Sequence, residues 1–318
     1  MHLPHREHSY DWVDGWAKSP DSESARSGWA HHDVVVSSTG DVITFHQADP
    51  TVLIFASDGS YKDSWEAPVS NSHGMEIVME NEEEFLCLAD NKTGKVIKTN
   101  LEGQTISSLE CPDLSVYRDG KYAPTDVAVN QESQGGNGDI WVTDGYGQNY
   151  IHRYDKEGNH IGSINGEEGS EGAFSCPHGI WIDTRKAKPE LYIADRSNGR
   201  VQVYDLESNF KRAFGTGPGS DWLHSPSGFA VHDDLMMVAE LRGSRITVLD
   251  KEDKVVGYLG EHSGAFELFE NWPNVSPDNV YPGKFNSPHG IATDSVGNIY
   301  VAEWMVGGRM TKLSKSDY

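Results

Sequence analysis

No stretch of about 18 consecutive apolar residues occurs in this 318-residue chain, so no segment is suited to crossing a bilayer as a helix. Cysteine is scarce. Cys87, Cys111 and Cys176 make an odd count without metal-ligand spacing, which fits buried thiols in a reducing compartment better than a disulfide framework. Basic residues are outnumbered: 26 Lys and Arg against 49 Asp and Glu leave a formal charge of −23. Such a field repels phosphate backbones, so nucleic acid is not an expected partner, and with no spanning segment neither is a membrane. Helical periodicity is also missing throughout. The N-terminal "MHLPHREHSYDW" has no apolar core of a secretion signal, so we expect a cytoplasmic protein, or a secreted one if a leader is removed upstream.

What the chain does have is repetition. "HHDVVVSSTGDVITFHQ" (31–47), "SHGMEIVMENEEEFLCLAD" (72–90) and "PTDVAVNQESQGGNGDIWVTD" (124–144) share one plan. It returns in "PHGIWIDTRKAKPELYIAD" (177–195), "PSGFAVHDDLMMVAE" (226–240) and "PHGIATDSVGNIYVAE" (288–303). Each copy reads as a period-2 strand, a polar turn, and a second apolar strand ending in Asp or Glu. Further strands follow, as in "RVQVYDLESNFKRAFG" (200–215), giving about four strands per unit, the pattern of a propeller blade. The expected fold is all-β: one six-bladed β-propeller domain over 1–318, with blades starting near 31, 72, 124, 177, 226 and 288. The sixth copy is short of a strand, and "SYDWVDGWAK" (9–18) is expected to complete it and close the ring. The longest irregular insert spans 261–285, between blades five and six.

In an up-and-down blade the start of the first strand and the end of the second lie on one face, and the first strand lines the channel. The strand-start residues are His32, His73, Thr125, His178, Ser227 and His289. His73, His178 and His289 come from alternate blades, which would bring three imidazoles to the axis with trigonal symmetry. Three neutral nitrogen ligands and one open position are what a catalytic zinc takes. His32 is then a fourth ligand, a group hydrogen-bonded behind the ligands, or a filler. The second strands end near Tyr146, Arg196 and Arg242 on the same face. A tyrosine beside a cation can serve as a base, and an arginine offers a fork for a carboxylate. The recurring acids Asp90, Asp144, Asp195 and Glu303 read as turn-holding groups.

With these residues in view, the chain resembles peptidyl-α-hydroxyglycine α-amidating lyase, a six-bladed propeller of the NHL-repeat type. The likeness is carried by "PTDVAVN…IWVTDGY", "FSCPHGIWID…LYIADRSNGRVQVY", "NSHG" and "FNSPHG". It implies zinc on His73, His178 and His289, a base at Tyr146, and substrate binding by Arg196. It implies lyase chemistry too: non-hydrolytic cleavage of a carbinolamide, N–C(OH)–COO⁻, such as an N-acyl-α-hydroxyglycine or a ureidoglycolate, into an amide and glyoxylate. The expected partner is therefore a small-molecule carboxylate. Four positions depart from the family. Gln47 stands for a second arginine, Ser287 for a methionine, Gly147 for a disulfide cysteine, and Gly290 for an aspartate that binds calcium. Arg242 is a candidate to replace the missing arginine, and Asp33 to replace the missing carboxylate if calcium is bound. Two other readings stay open: a metal-dependent hydrolase of a small ester or lactone, and a non-enzymatic interaction module.

Overall fold

In a computed structural model, residues 1, 8–17, 20–216 and 222–317 are described. The strands form six four-stranded antiparallel sheets, each a simple meander. They are the blades of a six-bladed β-propeller. Their first strands are Val34–Val36, Ser72–Glu80, Asp126–Val129, Pro177–Asp183, Pro226–His232 and Pro288–Thr293.

The N-terminal strand His8–Ala17 pairs with the C-terminal strand Arg309–Asp317, with Ser9 opposite Ser316 and Trp12 opposite Leu313. It supplies the fourth strand of blade six, as the truncated repeat leads one to expect; Lys18 of the 9–18 segment lies outside the described residues. Short helices do exist, at Glu23–Ser27 and Ala265–Leu268. Neither reaches two turns, so neither leaves a periodic signature in sequence.

The chain divides into two compact units, Met1–Trp65 with Ser227–Tyr318, and Glu66–Pro226. The first holds blades five, six and one; the second holds blades two, three and four. Within the second unit, Val127 and Val129 of blade three pack with Val78 and Ala89 of blade two. Ala128, Trp141 and Ile151 of the same blade pack with Ile180, Leu191 and Ile193 of blade four. Successive residues thus face opposite neighbours, the consequence of the pleat. In the first unit Ile291 and Val301 of blade six pack with Met237 and Val248 of blade five. Each such side chain contributes about 1.5–3 kcal/mol when fully buried.

One recurring device fixes where the first strands begin. In blades two to six the second strand ends at a buried acid, and in four of these blades it accepts backbone N–H groups from the segment leading into its own blade. Asp90 takes Ser70 N at 2.7 Å, Asp144 takes Ala123 N at 2.6 Å, Asp195 takes Ser175 N at 2.7 Å, and Glu303 takes Asn286 N at 2.7 Å. In three blades the same acid also pairs with the arginine opening the third strand: Asp195 with Arg200 at 2.6 Å, Glu240 with Arg245 at 2.9 Å, and Glu303 with Arg309. The buried carboxylates therefore act on geometry, holding the strand-start residues two or three positions further on.

Candidate metal and catalytic site

In the second unit His73 and His178 come together. Their rings lie 4.7 Å apart, and a ligating nitrogen of one is within 4.8 Å of one on the other. Both are buried. His73 Nδ1 lies 2.6 Å from the carbonyl oxygen of Thr125; a carbonyl only accepts, so Nδ1 carries the proton and Nε2 keeps its lone pair. This is the orientation a metal-ligating histidine needs. Glycine follows each histidine for a steric reason in at least one case: a Cβ on Gly74 would lie 2.5 Å from the Thr125 carbonyl oxygen that fixes His73.

Tyr146 closes this group. Its hydroxyl is 3.1 Å from His73 Nε2, 3.1 Å from His178 Nε2, and accepts from Arg196 Nη1 at 3.0 Å. A single phenolic hydrogen can be donated to only one imidazole at a time. Two imidazole nitrogens converging on one phenol oxygen therefore form a donor set that suits a borderline-soft divalent cation. Burial pushes the Tyr146 phenol up to about 12, against the pull of Arg196. The loop carrying it is tight. A Cβ on Gly147 would lie 2.0 Å from an Asp144 carboxylate oxygen, and one on Gly145 would lie 2.0 Å from the Pro177 carbonyl oxygen.

Arg196 opens the turn after the second strand of blade four, and its guanidinium also lies over the Tyr146 ring at 5.3 Å. Nη2 lies 3.1 Å from Cys176 Sγ. Burial raises the Cys176 pKa although Arg196 opposes it, so the thiol is neutral at pH 7.

The first unit holds the other candidates. His289 donates from Nδ1 to the carbonyl oxygen of His32 at 3.1 Å, again leaving Nε2 as the ligating atom. The imidazole beside it is His31, with ring centroids 4.6 Å apart and ligating nitrogens within 4.8 Å. His32 takes a different direction: its Nδ1 is 3.2 Å from Thr44 Oγ1 and 3.2 Å from the Asp33 carbonyl oxygen. Burial lowers its pKa to about 4. His32 thus supports His289 through its backbone while its ring stays outside any possible metal group among the described residues. The repeat alignment begins at His31 but singles out His32 as the strand-start residue; the only sequence signal for His31 is the doubled histidine.

Asp33 stands against Gly290. A Cβ there would lie 2.5 Å from Asp33 Oδ1, which accepts from Val34 N at 2.8 Å. The carboxylate thus occupies the space an aspartate at 290 would need, yet it joins no possible metal group among the described residues. Gln47 is committed to the backbone, with Nε2 donating to Ala25 O at 2.6 Å and Gly307 O at 3.2 Å. Arg242 is exposed, its guanidinium 4.7 Å above the Phe266 ring.

Behind the Tyr146 loop runs a polar chain. Tyr117 O–H donates to Asp144 Oδ2 at 2.6 Å and lies 2.6 Å from His152 Nε2, while His152 Nδ1 is 2.8 Å from Ser163 Oγ. Burial lowers the His152 pKa from 6.5 to about 3, helped by His160. The unfolded chain therefore binds a proton there that the native protein refuses. Stability is expected to be fully present above pH 6.5 and to fall by about 1.4 kcal/mol per unit below it, until His152 titrates. Denaturant titrations between pH 7 and 4.5 check this: His152→Asn should flatten the slope, and an unchanged slope would refute the assignment.

No family model matches the chain. It is similar to NHL repeat-containing protein 3 of Homo sapiens, at 25% identity over 269 residues, 78% of this chain and 71% of that protein. It is also similar to peptidyl-α-hydroxyglycine α-amidating lyase 1 of Drosophila melanogaster, at 28% identity over 201 residues, 57% of this chain. The match spans 33% of that lyase's length. Among solved structures, a streptogramin B lyase aligns with TM-score 0.62 and 14% identity over 97% of this chain and 98% of that one. A gluconolactonase from Xanthomonas campestris aligns with TM-score 0.63 and 13% identity over 97% and 100%. The structural likenesses carry the fold, and the sequence likenesses carry a distant kinship with NHL-repeat proteins and amidating lyases.

Proposed function

We propose that the protein is a metal-dependent lyase that breaks the C–N bond of a carbinolamide, R–CO–NH–CH(OH)–COO⁻, to release R–CO–NH₂ and glyoxylate. The observation that carries this reading is the convergence of His73 Nε2, His178 Nε2 and Arg196 Nη1 on the Tyr146 hydroxyl. His73 and His178 would hold the ion, with His289 as third ligand because it occupies the matching strand-start position in blade six. When bound, a zinc-like ion supplies a Lewis acid that makes a substrate hydroxyl more acidic. Arg196 would take the substrate carboxylate with its fork and orient the carbinol carbon. Tyr146, as phenolate, would accept the hydroxyl proton; the electron pair left on oxygen forms the aldehyde as the C–N pair leaves with nitrogen. The proton held by Tyr146 is the one the amide nitrogen then requires, so a single phenol can serve both halves of the step.

The test is glyoxylate release from N-benzoyl-α-hydroxyglycine by protein stripped with chelator and reloaded with zinc. Zinc-dependent release is expected, and none with any divalent ion would sink the lyase reading. Hydrolysis of a lactone or ester would show in the same assay format as activity restored by calcium and not by zinc. A second reading is a non-catalytic interaction module, built on the repeat that the chain shares with NHL repeat-containing protein 3. Unchanged metal content and ligand binding in His178→Ala would favour that one.

A further inference from the structure

We propose that the aromatic cluster around Trp304 is the face that receives the acyl group, so that the favoured carbinolamides carry an aromatic or bulky apolar R group; this rests on the lyase reading above. The cluster starts at a candidate ligand. His31, 4.6 Å from His289, stacks on Trp304 with ring centroids 4.9 Å apart and planes at 29°. Trp304 leads outward to Trp29 at 5.7 Å, and Trp29 is 45% exposed. On another side it meets Trp272 at 6.0 Å, and Trp272 meets Phe266 at 4.9 Å, both nearly perpendicular. Trp272 is pinned, its Nε1–H donating to the Asn286 carbonyl oxygen at 3.0 Å.

Four contiguous aromatic rings that are half-buried or exposed are unusual on the surface of a chain with a net charge of −23. Two of the rings come from the 261–285 insert and one from the turn after the second strand of blade six, so irregular segments, not repeat scaffolding, build the patch. Its edge carries Arg242 over Phe266, an exposed guanidinium with no ion pair among the described residues. A small anionic ligand with an apolar end fits this combination: the cation attracts it, and the rings take the end that does not react. Because the cluster is continuous with His31 and His289, its occupant would also present a group to those imidazoles, which a docked protein surface has no need to do.

The experiment compares N-benzoyl- with N-acetyl-α-hydroxyglycine, and in parallel the unreactive N-benzoylglycine with N-acetylglycine by tryptophan fluorescence. The wild type is expected to prefer the benzoyl compound by about tenfold or more in kcat/KM and in binding. Trp272→Ala and Phe266→Ala should bring both ratios within about twofold of one. Trp272→Phe is the milder variant should the alanine fail to fold, and it should keep an intermediate ratio. Equal binding of the two acylglycines by the wild type overturns this inference. Tight N-benzoylglycine binding without glyoxylate from either substrate would sink the lyase reading and leave the acyl face standing. A concentration-dependent dimer that hides Trp29 would overturn it in favour of self-association.

Discussion

Replacing His178 by alanine is expected to abolish stoichiometric metal binding and to cut activity by at least about 10³-fold. The side chain is buried, and it is presented by a segment that Asp195 grips through Ser175 N at 2.7 Å. Loss of a hydrogen-bonded group behind a ligand already costs about 10–100-fold in metal affinity, so loss of a ligand costs more. The informative control is His32→Ala. Its ring turns to Thr44, so the variant should lose stability, by about 1–2 kcal/mol, and keep its metal. Metal analysis after dialysis, with thermal melts of both variants, separates the outcomes. Retained metal in His178→Ala, or its loss in His32→Ala alone, would reverse the assignment of ligands.

Tyr146→Phe should behave differently: metal retained, KM little changed, and kcat down by about 10²–10⁴-fold, the usual worth of a positioned acid–base group. Only one oxygen is removed, and the ring keeps its contacts with His73 and Arg196. In metal-free protein the phenol stays protonated to about 12, because burial outweighs the guanidinium. A base must be deprotonated to work, so kcat/KM should rise with pH, and the phenolate absorbance of the zinc-loaded protein should appear at lower pH than in the stripped protein. An identical phenolate titration with and without zinc would refute the role given to Tyr146. So would a phenylalanine variant of undiminished kcat.

How much of this was readable beforehand varies by residue. His73 and His178 sit beside each other, as their common place in the repeat requires, because a buried acid anchors the segment leading into each of the three blades of the second unit. Tyr146 and Arg196 meet because their turns follow second strands of adjacent blades. Blade one differs in its approach. Its first strand is only Val34–Val36, and the approach to it is rerouted through the Glu23–Ser27 helix and the Trp29–Val306 bridge. The register is nonetheless kept: the His32 carbonyl receives His289 Nδ1 as the Thr125 carbonyl receives His73 Nδ1, and Val34 N meets Asp33 Oδ1 as Val127 N meets Asp126 Oδ1. The His32 ring turns to Thr44, as the Thr125 hydroxyl turns to Thr143, and the ring beside His289 comes from His31 on the rerouted approach. Arg242 and Gln47 were equally out of reach, since one is held over a ring from the 261–285 insert and the other by the backbone of a short helix.

The amino-acid sequence alone determined the six blades, the closing N-terminal strand and the paired histidines of the second unit, because a period-2 pattern repeated six times admits few other folds. Only the tertiary structure decided which histidine of the His31–His32 pair faces His289, what occupies the space beside Gly290, and that an aromatic face adjoins the imidazoles. Those features depend on segments outside the repeat, whose directions are set by contacts between residues far apart in the chain and not by any local pattern.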